Sequence, residues 1–187
     1  HNGRRRQRQM CIRDSLSTIA GATTGTVTVS NNINITGTSS AVVTAVGNVD
    51  TFSGTPTATL SDAHTLAELK AINDAISGTI ILKDYTVALS GSVADIKAAL
   101  SGTFAQTYTG NITLNDANAT SITASDITTI AGATTGRVTI SNNINITGTS
   151  AEIATAVGNV DTFSGTPTAT LSAVSYTHLT LPTTTIV

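Results

Sequence analysis

Short alternations of apolar and polar residues recur along this chain, interleaved with stretches of helical spacing. Val27/Val29, Ala58/Leu60, Ile112/Leu114 and Val138/Ile140 each flank a threonine, the period-two pattern of a strand with one buried face. Leu66/Leu69/Ile72/Ile76, Ile96/Leu100/Phe104 and Ile153/Val157/Val160/Phe163 recur at intervals of three or four, which predicts short helices with one apolar stripe. Gly78, Gly102, Gly136 and Gly165 follow helical stretches, where a helix end favours a residue free to take positive φ.

The helix starts carry their own signal. Thr65-x-x-Glu68, Ser92-x-x-Asp95, Thr123-x-x-Asp126 and Thr149-x-x-Glu152 fit the capping box, in which a hydroxyl caps free amides and an acid three residues on reaches back. The acid also suits the positive end of the helix dipole. One start breaks the rule: after Thr38 the third residue is Ala41, so that helix is expected to fray first.

These elements repeat. Residues 17–61 return as residues 128–172 at a fixed offset of 111, with seven differences in 45 positions. A weaker repeat aligns residues 65–78 with 123–136 and residues 87–100 with 144–157. The unit is thus about 55 residues, two half-units that each read strand then helix. A helix of about ten residues is marginal alone, and a single strand has nothing to pair with. Each half-unit must lean on its neighbours, which predicts an α/β repeat solenoid of short parallel strands alternating with short helices, joined by right-handed crossovers. In half of the units a strand is split at Asn31-Asn32 or Asn142-Asn143, and those pairs make either bends or hairpins.

Composition narrows the chemistry. Thr supplies 38 of the 187 residues, Trp is absent, and Phe and Tyr total six, so the core must be thin and regular. Charged residues make up only 11%, against about a quarter in ordinary domains. Five of the six arginines, Arg4, Arg5, Arg6, Arg8 and Arg13, crowd into the first thirteen residues beside Met10 and Cys11. From Leu16 to Val174 four basic residues face ten acidic ones with no cysteine, which leaves no thiolate or disulfide chemistry there. No stretch approaches the length of a membrane span, and the basic start lacks the apolar run of a signal peptide.

Several motifs invite sharper readings. The arginine cluster has no interleaved aromatics, so it is not read as a nucleic-acid or membrane patch. Asp62, Asp84 and Asp116 follow strands and are the candidate calcium ligands, although no D-x-D-x-D or glycine-rich nonapeptide accompanies them and calcium needs six to eight oxygens. The T-x-T triplets at Thr26/Thr28, Thr57/Thr59 and Thr168/Thr170 suggest a lattice-matching face, but the other strands interrupt the rank. His64 stands alone between the two ends of the chain without G-x-S-x-G or a cysteine partner, and reads as a solvated loop residue. Asn34-Ile35-Thr36 is a glycosylation sequon in form, here repeated as part of the strand pattern.

Gly91–Leu100 and Gly148–Val157 share G-[ST]-x-A-[DE]-I-x-x-A-[LV], and Leu60–Ala63 and Leu114–Ala117 share L-[SN]-D-A. On these segments the body resembles the tandem repeats of very large secreted or cell-surface proteins of aquatic bacteria, some of which carry haemolysin-type calcium-binding modules. The 111-residue match stops abruptly at both edges. RQMCIRDS (residues 8–15) and VSYTHLTLPTT (residues 174–184) resemble translated sequencing-adapter read-through at the ends of metagenomic reading frames, and the chain starts at His1 rather than Met. The resemblance implies that residues 1–15 and 174–187 are artefactual or disordered tails flanking a repeat array over residues 16–173.

The expectation is therefore a threonine-rich, adhesin-like structural module of an extracellular or cell-surface protein, acting as scaffold or spacer. No catalytic, cofactor-binding or metal residue is assigned, and no enzyme activity. Its partners are neighbouring repeats of the same chain, with surface glycans or other cells beyond them, and neither nucleic acid nor a membrane span. Two alternatives stand beside it: a calcium-stabilised repeat, and a carbohydrate-binding or carbohydrate-active solenoid, for which Tyr85 and Tyr108 are the aromatics on offer.

Overall fold

The computed structural model describes Ile12 and residues 14–172. The arginine cluster, Met10, Cys11 and the segment after Ser172 lie outside the described residues. The first helix, α1 (residues 14–22), begins two residues before the boundary drawn from the sequence, and Ile12 and Leu16 pack with the core.

The fold is a mixed α/β arrangement in which short parallel strands alternate with short helices. After α1 come β1 (Thr28–Val29), β2 (Asn34–Gly37) and α2 (Ser39–Gly47), then β3 (Thr51–Phe52), β4 (Thr57–Leu60) and α3 (Leu66–Ala75). The middle runs β5 (Thr79–Ile81), β6 (Leu89–Gly91), α4 (Val93–Leu100), β7 (Thr103–Phe104), β8 (Ile112–Leu114), β9 (Ser121–Thr123) and α5 (Ala124–Ala133). The last part is β10 (Val138–Ile140), β11 (Asn145–Gly148), α6 (Ser150–Gly158), β12 (Thr162–Phe163) and β13 (Thr168–Leu171).

Every strand pair is parallel. Among the described residues four sheets result, ordered β1-β3, β2-β4-β5-β7, β12-β10-β8-β6 and β13-β11-β9, and none of these closes on itself. A parallel partner requires the chain to cross back between strands, and helices occupy these crossings. The helices touch in chain order from α2 to α6. β1 and β2 lie in different sheets, so Asn31-Asn32 marks a bend between two sheets and not a hairpin; Asn142-Asn143 does the same between β10 and β11.

Registered pairing lines up the inward residues. Ile35, Ala58, Ile80 and Phe104 form one row; Leu89, Ile112 and Val138 form another. On the helices Leu69, Ile72, Ile96, Ile127, Ile130 and Ile153 are buried against these rows. The core is built from Ile, Leu, Val and Ala, with Tyr108 as its one fully buried large aromatic, so short strands stack at close packing without bulky gaps.

Three expectations need correction. The helical pattern does not extend to Phe104 or Phe163: α4 ends at Leu100 and α6 at Gly158, and both phenylalanines lie in two-residue strands. The inward residue of the next strand happens to fall at helical spacing. Second, every interval between helices holds at least two strands, because strands as short as Thr51–Phe52 leave no alternation to read. Third, Gly78, Gly102, Gly136 and Gly165 do not take positive φ. They are small because neighbouring chain passes over them: a Cβ on Gly78 would strike the Pro56 carbonyl, and one on Gly136 the Gly110 carbonyl.

Ala119 is the one non-glycine residue at positive φ among the described residues, at 64°. Such a conformation costs an L-residue about 1–2 kcal/mol, partly offset by the lower unfolded-state entropy of Ala. Ala119→Gly is therefore expected to raise unfolding stability by about 0.5 kcal/mol. Gly136→Ala should lower it by about 1–3 kcal/mol through overpacking. Urea unfolding of the two variants checks both signs.

Candidate functional site

Two of the three acids that the sequence offers as ligands, Asp62 and Asp116, are engaged with backbone amides of a neighbouring segment. Ser39, the first residue of α2, donates its N–H and its hydroxyl to Asp62 Oδ1 at 2.7 Å each. Val93, the first residue of α4, donates its N–H to the Asp116 carboxylate at 3.0 Å. At strand starts Asp50 accepts from Val27 and Asp161 from Val138, each at 2.7 Å. All four acids sit 23 residues beyond their donors. The first amides of a helix have no partner within it, so an anion supplied there satisfies a donor and meets the positive end of the helix dipole.

This arrangement revises the capping expectations. Complete capping boxes form at α3, with Thr65 and Glu68, and at α6, with Thr149 and Glu152. At α4 and α5 only the hydroxyl half forms, from Ser92 and Thr123. Asp95 is one methylene shorter than glutamate, and Asp126 turns instead to Lys97, with which it forms an ion pair. The helix expected to fray, α2, has its missing acid replaced by Asp62 of the following segment, and Ser39 is buried. The two copies differ in complementary fashion: α2 has Ala41 and Asp62, whereas the matching positions for α6 are Glu152 and Ala173.

Amide and hydroxyl side chains do the same work along the strands. Asn32 Oδ1 accepts from the Thr55 N–H at 2.8 Å, and its twin Asn143 from the Thr166 N–H at 2.7 Å. Thr59 donates to Asn34 Oδ1, while Thr168 and Thr170 both donate to Asn145 Oδ1. Three of the six T-x-T hydroxyls, those of Thr59, Thr168 and Thr170, are thus committed to strand asparagines, Asn34 of the sequon among them.

His64 is buried and not solvated, at 3% exposure. The Tyr108 hydroxyl donates its one hydrogen to the Val87 carbonyl at 2.6 Å and lies 3.2 Å from His64 Nε2. Its oxygen must then accept from Nε2–H, which leaves Nδ1 as a bare acceptor, and Nδ1 has no partner. Burial lowers the imidazole pKa from 6.5, against the opposing pull of Asp84, Glu68 and Asp62. Tyr108 is 1% exposed and packs against Phe104, so it offers a sugar no open face; burial also raises its pKa. Tyr85 is half-buried, its hydroxyl accepting from the Leu82 amide.

Asp84 accepts locally from the Thr86 amide and hydroxyl. An open groove of about 600 Å³ between α4 and α5 is lined by Val93, Lys97, Asp116, Ile122 and Asp126 among others. Lys97 holds the Asp126 carboxyl below its ordinary 3.8, so Asp126 stays ionised at neutral pH and is no proton donor. Among the described residues no three His, Cys, Asp or Glu side chains gather as a metal-binding group, and no helix is long and apolar enough to cross a membrane.

Two outcomes follow. Removing a cap costs about 1 kcal/mol, so Asp62→Ala and Asp116→Ala should each lower stability by about that amount in urea unfolding. The Asp62 carboxyl is held below 3.8, chiefly by the Ser39 hydroxyl and amide, so this contribution is present above that pH and lost as pH falls through the lowered value. For His64 the unfolded chain binds the proton more readily than the native one. Stability is therefore full above 6.5 and declines as pH falls below it. His64→Phe should flatten that decline between about pH 7 and 5, measured as unfolding midpoints across the range.

No family model matches the chain, and no curated protein or solved structure shows significant similarity to it.

Proposed function

We propose that the chain is a structural repeat module, a solenoid of short parallel strands alternating with short helices that serves as scaffold or spacer in a larger extracellular or cell-surface protein. The observation that carries this reading is the constant 23-residue step from Asp50, Asp62, Asp116 and Asp161 to the amides they accept. A stack whose segments each satisfy the backbone of the one before uses its polar side chains as mortar, and little chemistry is left to face a ligand. The near-exact copy of residues 17–61 in residues 128–172 supports the same reading, since array growth by duplication needs only that ends match.

The reading predicts that adding sequence adds length. A chain with residues 17–127 inserted once more, in frame, before residue 128 should fold with an unchanged circular dichroism spectrum per residue. Its longest dimension, from small-angle X-ray scattering extrapolated to zero concentration, should grow in proportion to the added segments. A compact particle whose longest dimension is unchanged would contradict it.

A further inference from the structure

We propose that Asn118, on the turn between β8 and β9, is an acceptor site for an N-linked oligosaccharide. The proposal rests on the extracellular reading above, because such transfer acts on exported chains, and it adds a modified residue to that reading.

Four asparagines begin an N-x-T triplet: Asn34, Asn111, Asn118 and Asn145. Such a triplet marks a glycosylation acceptor where it lies on a surface loop. Three of the four belong to the strands. Asn34 and Asn145 are the first residues of β2 and β11, and Asn111 directly precedes β8. Asn34 and Asn145 are also half-buried with their carboxamides tied to hydroxyls. Thr59 donates to Asn34, while Asn145 accepts from Thr168 and Thr170 and donates to Ser121. Asn118 instead forms an exposed turn with Ala119.

That turn is an insertion. Asp62 and Asp116 bond the first amides of α2 and α4, and Thr65 and Thr123 cap the next helices, α3 and α5. Thr65 follows Asp62 by three residues, whereas Thr123 follows Asp116 by seven. The four additional residues fall within 118–122, so this triplet is not a by-product of the repeated strand pattern.

The turn is held by its backbone and by one end of the Asn118 carboxamide. Asn118 Oδ1 accepts from the Asn143 N–H at 3.0 Å. The Ala119 N–H donates to the Asn143 carbonyl at 2.7 Å, and the Thr120 N–H to the Ala117 carbonyl at 3.1 Å. Among the described residues Asn118 Nδ2 donates to no group. A sugar on Nδ2 therefore leaves every bond of the turn in place, whereas one on Asn145 would grow from an amide packed between Ser121, Thr168 and Thr170.

The residues ahead of the triplet complete the signal. Asp116-Ala117-Asn118-Ala119-Thr120 reads D-x-N-x-T, with the acid two positions before the asparagine that bacterial oligosaccharyltransferases require. Asn34, Asn111 and Asn145 have Asn32, Thr109 and Asn143 at that place. In the folded chain the Val93 N–H holds the Asp116 carboxylate, so the pentapeptide is read before the start of α4 closes on it, and the exposed turn then accommodates the product. In the transfer, Nδ2 bonds to C1 of the first sugar of a polyprenyl-diphosphate-linked oligosaccharide. The C1–oxygen bond breaks, its electron pair leaves with the diphosphate, and the displaced Nδ2 proton passes to solvent.

The full chain, exported behind an added leader in cells that supply such a transferase and its lipid-linked donor, tests this independently of the native export route. Intact mass should rise by one oligosaccharide, mapped to Asn118 by peptide sequencing, with a control acceptor modified in the same cells. Asn118→Gln and Thr120→Val should each abolish the addition; the valine keeps the side-chain shape and the carbonyl that accepts from the Asn145 N–H. The glycosylated chain should keep the melting midpoint of the unmodified one. An exported chain left unmodified beside a modified control overturns the proposal. So does a glycan at Asn34, Asn111 or Asn145 in its place, one retained in Thr120→Val, or a modified chain that no longer folds. Failure of the module reading would show instead in the scattering dimension and leave this mass unchanged.

Discussion

A backbone amide that has no partner in its own helix or strand, satisfied by a carboxylate 23 residues further on, is the interaction on which the rest of this structure depends. The helices have only eight to ten residues, too few to be stable in isolation. Their first amides would otherwise face water or go unbonded. At α2 and α4 an acid from the following segment closes that gap and holds the two segments within hydrogen-bonding distance, whereas α3 and α6 close it with their own Glu68 and Glu152. Sheet pairing, the stacked apolar rows and the helix-to-helix contacts then fall into register together.

Much of the fold was readable from residue patterns, and the failures have physical causes. Alternation at Ala58/Leu60, Ile112/Leu114 and Val138/Ile140 marked strands whose inward residues are buried, and Leu69 and Ile72 marked a buried helix stripe. Strands of two residues, such as Thr103–Phe104 and Thr162–Phe163, contain no period to detect, so their phenylalanines were absorbed into the preceding helical pattern. Glycines were assigned a backbone role that belongs to close packing instead: at Gly78 and Gly136 it is the adjacent carbonyl that excludes a side chain.

The polar residues were harder to place. Read locally, Asp62 and Asp116 are calcium-ligand candidates and Ala41 is a missing cap. One fact accounts for Asp62 and Ala41 alike: the acid arrives from the next segment and not from the helix's own first turn. Local sequence windows do not contain that relation; only the spacing between neighbouring segments does. His64 likewise looked like a solvated loop residue until Tyr108, 44 residues away, supplied its hydrogen-bond partner. A threonine-rich surface in which Thr59, Thr168 and Thr170 donate to asparagines of the preceding segment is occupied with its own cohesion, which is the physical basis of the spacer reading.

Native-state hydrogen exchange tests the central claim most directly. The amides of Val27, Ser39, Val93 and Val138 have side-chain carboxylates as acceptors. If those bonds hold the segments together, these four amides exchange as slowly as ladder amides such as Thr57 and Thr168, and all slow together. Exchange at the rate of unbonded loop amides, with the sheet ladders still protected, would contradict the account.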